Sequence, residues 1–325
     1  MKNAAFTLVM MPPQTPVRIA WAKRIAADEV GVRVLQPETI EDAIRDVADA
    51  EAAFGAIPPE VLAAAKKLRW LQAPQIAPPA GFYYPELVNH PVIATNFREI
   101  FNDHIGAHIM AFVLAFARGL HYYLPQQQRR EYKPRPLDTG VLHLAECTAL
   151  ILGVGGIGAE AARLCKAFDM HVIGVDGRRT ERPEGMDELF PAESLDAQLA
   201  RADFVIMTIP HTPATEGLMN RDRLRRMKET AFLINIGRGM TVRLDDLVAA
   251  LHAGEIAGAG LDVYEIEPLP SEHALWTAPN VLLTPHTAGF GPYLDDRRLD
   301  IILDNCRRFA SGQPLRNVVD KAMWF

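Results

Sequence analysis

Thr148-Ala-Leu-Ile-Leu152 runs straight into Gly153-Val-Gly-Gly-Ile-Gly158, then into Ala159–Ala167 and Met170–Val175, which ends at Asp176. The first and last pieces are short and apolar, as buried strands are, and the piece after the glycines reads as a helix. Asp176 stands 18 positions after Gly158. A GxGxxG pattern alone is weak. Strand, glycine loop, helix, second strand and terminal acid together form the arrangement that holds a dinucleotide pyrophosphate. Gly153 permits the tight turn, Gly155 lets the backbone approach the phosphates, and Gly158 lets helix and strand pack closely. The helix start offers free N–H groups and a positive dipole end. Asp176 is placed to accept hydrogen bonds from the adenosine ribose. Its charge favours NAD, while Arg178 and Arg179, directly behind it, keep NADP open because they can clamp a 2′-phosphate.

The same alternation extends both ways. Upstream, Phe6–Met10, Ala52–Gly55, Leu68–Gln72 and Val92–Thr95 are strand-like, while Pro37–Ala50 and Pro59–Lys67 are helical. Downstream, strands and helices alternate to about Leu282–Thr284, and Leu299–Phe309 carries helical spacing in the tail. Repeated alternation predicts parallel sheets with helices on both faces. The stretch 105–117 is apolar nearly all round, so it reads as a helix buried on more than one side, either in a core or at a subunit interface. It is shorter than the ~20 residues that a membrane helix needs.

The chain has 325 residues, a length that suggests two domains. Its net charge of −6 argues against nucleic-acid and anionic-membrane partners. Cys147, Cys165 and Cys306 are too few and too scattered for a disulfide framework or a metal knuckle, so reduced thiols in a cytoplasmic protein and no metal are expected.

Three later segments place polar residues where strands should end: Ile234-Asn-Ile-Gly-Arg-Gly239, Gly260-Leu-Asp-Val-Tyr-Glu-Ile-Glu-Pro268 and Thr284-Pro-His-Thr-Ala-Gly289. In an open parallel sheet such ends face the ligand crevice. An arginine, a carboxylate and a histidine there suit the reduction of a 2-keto acid. The guanidinium fork binds the carboxylate and polarises the carbonyl. The histidine exchanges a proton with the carbonyl oxygen, and a carboxylate beside it favours its charged form and orients it.

These motifs, with the glycine loop and the Asn317-Val-Val-Asp320 tail, resemble those of the D-isomer-specific 2-hydroxyacid dehydrogenases, a family that includes glyoxylate/hydroxypyruvate reductases. The resemblance runs from about Leu68 to the tail. It implies two Rossmann-like or flavodoxin-like parallel-sheet domains with an active-site cleft between them. The substrate domain would be discontinuous, 1–99 with 291–325, and the dinucleotide domain would be 100–290. By motif, Arg238 matches the substrate arginine, Glu267 the carboxylate and His286 the acid/base. Gly153, Gly155, Gly156, Ile157 and Gly158 match the pyrophosphate loop, with Asp176 and Arg178 on the ribose. Ile209, Pro210 and Thr215 match the adenosine-side wall, and Ile236, Gly237 and Asp262 the nicotinamide side, where Asp262 can hold the carboxamide. The resemblance also implies a homodimer formed through the helix that starts near His104.

The match fails after Trp70-Leu71-Gln72. The family carries a turn there whose amides bind the substrate carboxylate, whereas this chain has a longer, proline-rich loop, and proline lacks the amide donor. Gln75 and Ile76 are the candidates by position. The rings of Phe82, Tyr83 and Tyr84 either pack this loop onto its domain or enlarge the pocket beyond glyoxylate. The glutamate that the family carries at the helix start is absent from Ile105-Gly106-Ala107. Two alternatives stay open: formate or phosphite oxidation on the same fold, against which Glu267 counts because formate dehydrogenases of this architecture carry glutamine there, and a non-catalytic NAD-sensing corepressor.

Overall fold

The alternating segments fold into two parallel sheets. The computed structural model describes residues 5–76, 81–136 and 140–323. The chain divides into two units, Met1–Ile100 with Pro292–Phe325, and Phe101–Gly291.

The first unit runs β1 (Phe6–Met10), α1 (Pro16–Ala26), β2 (Val32–Leu35), α2 (Ile40–Val47), β3 (Ala52–Phe54), α3 (Pro59–Ala64), β4 (Trp70–Gln72), α4 (Pro85–Asn89) and β5 (Ile93–Thr95). Its strand order, β2-β1-β3-β4-β5, is that of flavodoxin. Helix α2 begins later than the sequence suggests because Thr39 caps it, its hydroxyl accepting from the Asp42 amide at 3.1 Å. The three rings after the proline-rich loop belong to this unit's core: Tyr83 is buried among Val61, Leu62 and Leu87, with Phe82 and Tyr84 packed against them. The Tyr84 hydroxyl donates to the Ile57 carbonyl at 2.9 Å. The packing explanation of these rings therefore holds, and they give no support to a widened pocket. Ala77–Ala80 lie outside the described residues.

The second unit opens with α5 (Asn102–Ala117) and α6 (Leu120–Arg129), then β6 (Thr148–Leu152), α7 (Gly156–Lys166), β7 (His171–Asp176), β8 (Glu188–Pro191), α8 (Leu195–Leu199), β9 (Phe204–Met207), α9 (Arg221–Leu224), β10 (Phe232–Asn235), α10 (Leu244–Ala253), β11 (Gly258–Leu261) and β12 (Val281–Leu283). The order is β12-β11-β10-β9-β6-β7-β8. Read from β8 this is the doubly wound dinucleotide order with one strand added, and the winding reverses between β6 and β9. All residues of β9 and β10 are buried, as expected for strands covered on both faces. Alternate side chains feed two cores: Leu150, Leu152, Val205 and Met207 on one face, and Ala149, Ile151, Phe204 and Ile206 on the other.

Helix α5 covers the second face with Ile109, Phe112, Val113 and Phe116. Phe116 stacks on Phe232, with centroids 4.4 Å apart. The face holding Asp103, Ala107 and Ala111 is exposed in the chain. Among the described residues no single helix is long and apolar enough to cross a membrane.

The chain then returns to the first unit through α11 (Leu294–Ser311). Phe309 on this helix packs edge-on against Phe6 at 4.8 Å and tilted against Trp70 at 5.7 Å. Asn305, fully buried, accepts from the Arg316 amide at 2.8 Å and so fixes the turn into the tail.

Candidate active site

All the acid–base and dinucleotide-loop candidates lie in the second unit, at the carboxyl ends of its strands. The glycine loop leaves β6 at the point where the winding reverses. Gly153 has φ +88°, a left-handed conformation costly for any side chain, and a Cβ there would meet Ile209 Cγ2 at 2.8 Å. At Gly158 a Cβ would fall 2.0 Å from the Gly153 carbonyl oxygen, so only glycine lets α7 start this close to β6. No described atom lies within 4 Å of a Cβ built on Gly155. The first turn of α7, with the amides of Gly156 and Ile157, starts beside this open position, as a helix N-terminus that takes a pyrophosphate does, and the Asn102 side chain lies against Gly156, 2.7 Å from where its Cβ would be.

Asp176 ends β7, where its carboxylate is held by the loop it faces. Oδ2 accepts from the Val154 amide at 2.7 Å, and Oδ1 from the Arg178 and Arg179 amides at 2.8 Å each. Burial acts to raise its pKa, but the three amide bonds and the Arg178 charge outweigh it and hold the group below its ordinary value. The carboxylate therefore stays ionised at the end of β7. Arg179 folds back, donating through Nη1 to the Val154 carbonyl at 2.9 Å and through Nε to the Glu181 carbonyl at 2.9 Å. Arg178 is exposed on the same turn.

Ile209 packs over Gly153 after β9. Thr215 closes the turn from Pro210, its hydroxyl donating to the Pro210 carbonyl at 2.7 Å. Ile236 is 6% exposed and lies in the core with Ala288, so only its backbone is left to face a ligand.

Arg238 follows β10 on a braced loop. The fully buried Asn235 accepts from the Gly237 amide at 3.0 Å and donates to the Arg238 carbonyl at 3.1 Å. The Thr241 hydroxyl donates to the same carbonyl at 2.6 Å. Burial pushes the guanidinium below its ordinary value and the nearby Glu267 charge opposes this. An arginine remains cationic under both influences.

Glu267 and His286 come together from loops 19 residues apart: Oε2 lies 2.7 Å from Nδ1. The other Glu267 oxygen accepts from the Tyr264 amide at 2.9 Å, which fixes the carboxylate. A carboxylate only accepts, so Nδ1 carries a proton and Nε2 is the nitrogen left for proton exchange.

The Asp262 carboxylate, expected beside the carboxamide, is 1% exposed and is spent on the histidine's loop. Oδ1 accepts from the Thr284 hydroxyl at 2.6 Å and the Thr287 amide at 2.8 Å, and Oδ2 from the Ala288 amide at 2.9 Å. Gln75 and Ile76 lie in the first unit on the turn after β4, where the Ile76 carbonyl accepts from Asn96 Nδ2 at 3.1 Å. Sequence reasoning missed Asn235, Thr241 and Tyr264. The signal for Asn235 was its place at the end of β10, three residues before Arg238.

Known proteins resemble this chain over most of its length. The family model described as D-isomer specific 2-hydroxyacid dehydrogenase, NAD binding domain, matches residues 110–288. A glyoxylate reductase from Thermofilum pendens is 32% identical over 296 residues, 88% of this chain and 86% of that one. The human glyoxylate reductase/hydroxypyruvate reductase is 46% identical over 145 residues, 44% of each protein. A solved D-isomer specific 2-hydroxyacid dehydrogenase from Xanthobacter autotrophicus, in complex with NADPH and MES, superposes with a TM-score of 0.83 at 27% identity, covering 98% of this chain and 99% of the other. A match of this extent to the family's own domain, on the strand order and loop described above, leaves one conclusion: the chain belongs to the D-isomer specific 2-hydroxyacid dehydrogenase family.

Proposed function

We propose that the protein interconverts a 2-keto acid and its D-2-hydroxy acid, with Arg238 binding the substrate carboxylate and carbonyl, His286 as acid/base and Glu267 supporting it. The observation that carries this is the 2.7 Å contact between Glu267 and His286 on loops of the dinucleotide unit. The first amides of α7, the glycine loop and Asp176 would hold the coenzyme, whose nicotinamide supplies or accepts the hydride. His286 Nε2–H protonates the carbonyl oxygen during reduction and takes the proton back during oxidation. Throughout, Glu267 keeps the ring turned and Nδ1 protonated. The Arg238 fork holds the carboxylate and draws charge onto the carbonyl oxygen. The roles of Gln75 and Ile76 on the carboxylate rest on their position in the turn alone.

Catalytic efficiency with glyoxylate, hydroxypyruvate, 2-ketoisocaproate and phenylpyruvate, measured with NADH and NADPH side by side, tests the reading. Turnover of at least one keto acid is expected. Dinucleotide binding without turnover of any would favour a sensor. The two directions should depend oppositely on pH, because reduction needs the His286 imidazolium and oxidation the neutral ring. Reduction is therefore lost as pH rises and oxidation as pH falls; parallel profiles would contradict the assignment.

NAD is the preferred coenzyme in this proposal, since the ionised Asp176 repels a 2′-phosphate, although the Xanthobacter relative was solved with NADPH. Asp176→Ala should weaken NAD by roughly ten- to hundredfold, the worth of hydrogen bonds to a charged group, and weaken NADP much less. Equal losses would mean that the carboxylate serves only to brace Val154. The proposal includes a homodimer through the exposed Ala107 and Ala111 face of α5 and the exposed Leu120 and Leu124 of α6. Light scattering of the purified chain checks it.

A further inference from the structure

His286 has φ +55°, a left-handed conformation uncommon for a residue with a side chain. Its amide donates to both the Asp262 carbonyl at 2.8 Å and the Thr284 carbonyl at 3.0 Å. The Asp262 carboxylate clamps the next two amides, those of Thr287 and Ala288. Asp262 therefore enforces the backbone geometry that aims the imidazole.

What holds Asp262 comes from the far end of the unit's sequence. Thr284 Oγ1 lies 2.6 Å from Asp262 Oδ1, and His108 Nε2, on α5, lies 2.9 Å from the same Thr284 oxygen. A hydroxyl has one hydrogen, and a carboxylate can only accept. That hydrogen is therefore committed to Asp262, so the bond to His108 forms only if Nε2 carries a proton and donates. His108 is pressed edge-on against Phe112 with centroids 4.9 Å apart, which fixes the ring plane. Burial lowers the His108 pKa and the Asp262 charge, 3.9 Å from Nε2, opposes it. The Tyr264 hydroxyl lies 2.9 Å from the Thr284 carbonyl and 3.1 Å from that of Leu261, its one hydrogen shared between the two.

We propose that His108 is a positioning residue: it donates through Nε2–H to Thr284, which donates to Asp262, and this chain of bonds holds the strained His286 loop in its working geometry. The proposal rests on His286 being the acid/base. Its first test does not. Nitrogen-15 chemical shifts of the imidazoles in the intact protein should show His108 as the Nε2–H tautomer. Thr284→Val should shift the His286 resonances, and Thr284→Ser should restore them. An Nδ1–H tautomer for His108, or unmoved His286 signals in Thr284→Val, overturns the network whether or not the protein turns over a keto acid.

The kinetic arm asks for a split. Thr284→Val and His108→Leu should each lower kcat by about tenfold or more, short of the ~10²-fold that an ångström-scale misplacement costs. The dissociation constant for the dinucleotide should stay within about twofold. His108→Gln, whose side-chain amide nitrogen can donate from nearly the same place, should recover most of the rate. If both conservative variants are as impaired as the disruptive ones, or if coenzyme affinity falls in step with kcat, the side chains serve only the fold and the proposal fails. Absence of turnover in the unsubstituted protein would fail the proposed reaction instead and leave the tautomer measurement to decide the network.

Discussion

Replacing His286 by alanine lowers turnover in both directions by about 10²- to 10⁴-fold, the range for a positioned acid/base, and leaves dinucleotide affinity nearly unchanged. The two effects separate because His286 sits on the loop after β12, whereas the glycine loop follows β6 and Asp176 ends β7. The imidazole is about half exposed, so its removal leaves no cavity in either core and folding should be preserved. Glu267 keeps its bond from the Tyr264 amide and stays in place with one oxygen unpaired. Glu267→Gln makes the companion experiment: an amide can still accept from Nδ1–H, so the ring stays aimed, but the negative charge is gone. Its loss should be smaller than that of the alanine variant. Unchanged turnover in His286→Ala would remove the acid/base assignment.

Arg238→Gln reduces kcat/KM by roughly 30- to several-thousand-fold, the equivalent of the 2–5 kcal/mol that follows from deleting one partner of a buried, hydrogen-bonded charge pair. Part of this should appear as a raised KM, because the carboxylate loses its fork. The rest should appear in kcat, because the carbonyl is no longer polarised. The fold should tolerate the change: Asn235 and Thr241 hold the loop through the backbone carbonyl of residue 238, and the guanidinium adds one bond, from Nη1 to the Gly237 carbonyl at 2.6 Å. Arg238→Lys should recover only a fraction, since an ammonium is a point charge without the planar fork. Full recovery by lysine would show that charge alone is used. A loss confined to KM would show that Arg238 holds substrate without acting on the carbonyl.

Much of the dinucleotide unit was legible in the sequence because its strands are short, apolar and bounded by glycine or a polar residue. Thr148–Leu152 has the same limits in sequence and structure, and the left-handed Gly153 and the contact at Gly158 explain why glycines stand there. Helix α1 was not legible. Val17 and Ile19 face outward while Trp21 and Ile25 face inward, so the apolar residues do not mark one face. Residues drawn from motifs at strand ends, Arg238, Glu267 and His286, emerge on neighbouring loops of one sheet edge, because a parallel sheet gathers its carboxyl ends. The bracing residues were invisible for a different reason. His108 and Thr284 meet across 176 positions, and nothing in a helix read as apolar all round singles out one histidine. Asp262 was legible as a site residue, but its task was not: only the fold shows both oxygens turned to the Thr284–Ala288 loop.

The most direct test is a crystal structure of the protein with a reduced or oxidised dinucleotide and a non-reacting 2-keto acid analogue. His286 Nε2 is expected within hydrogen-bond reach of the analogue's keto oxygen, with the Arg238 fork on its carboxylate and Glu267 still on Nδ1, all beside the C4 face of the nicotinamide. A complex in which these three side chains point away from the bound analogue would contradict it.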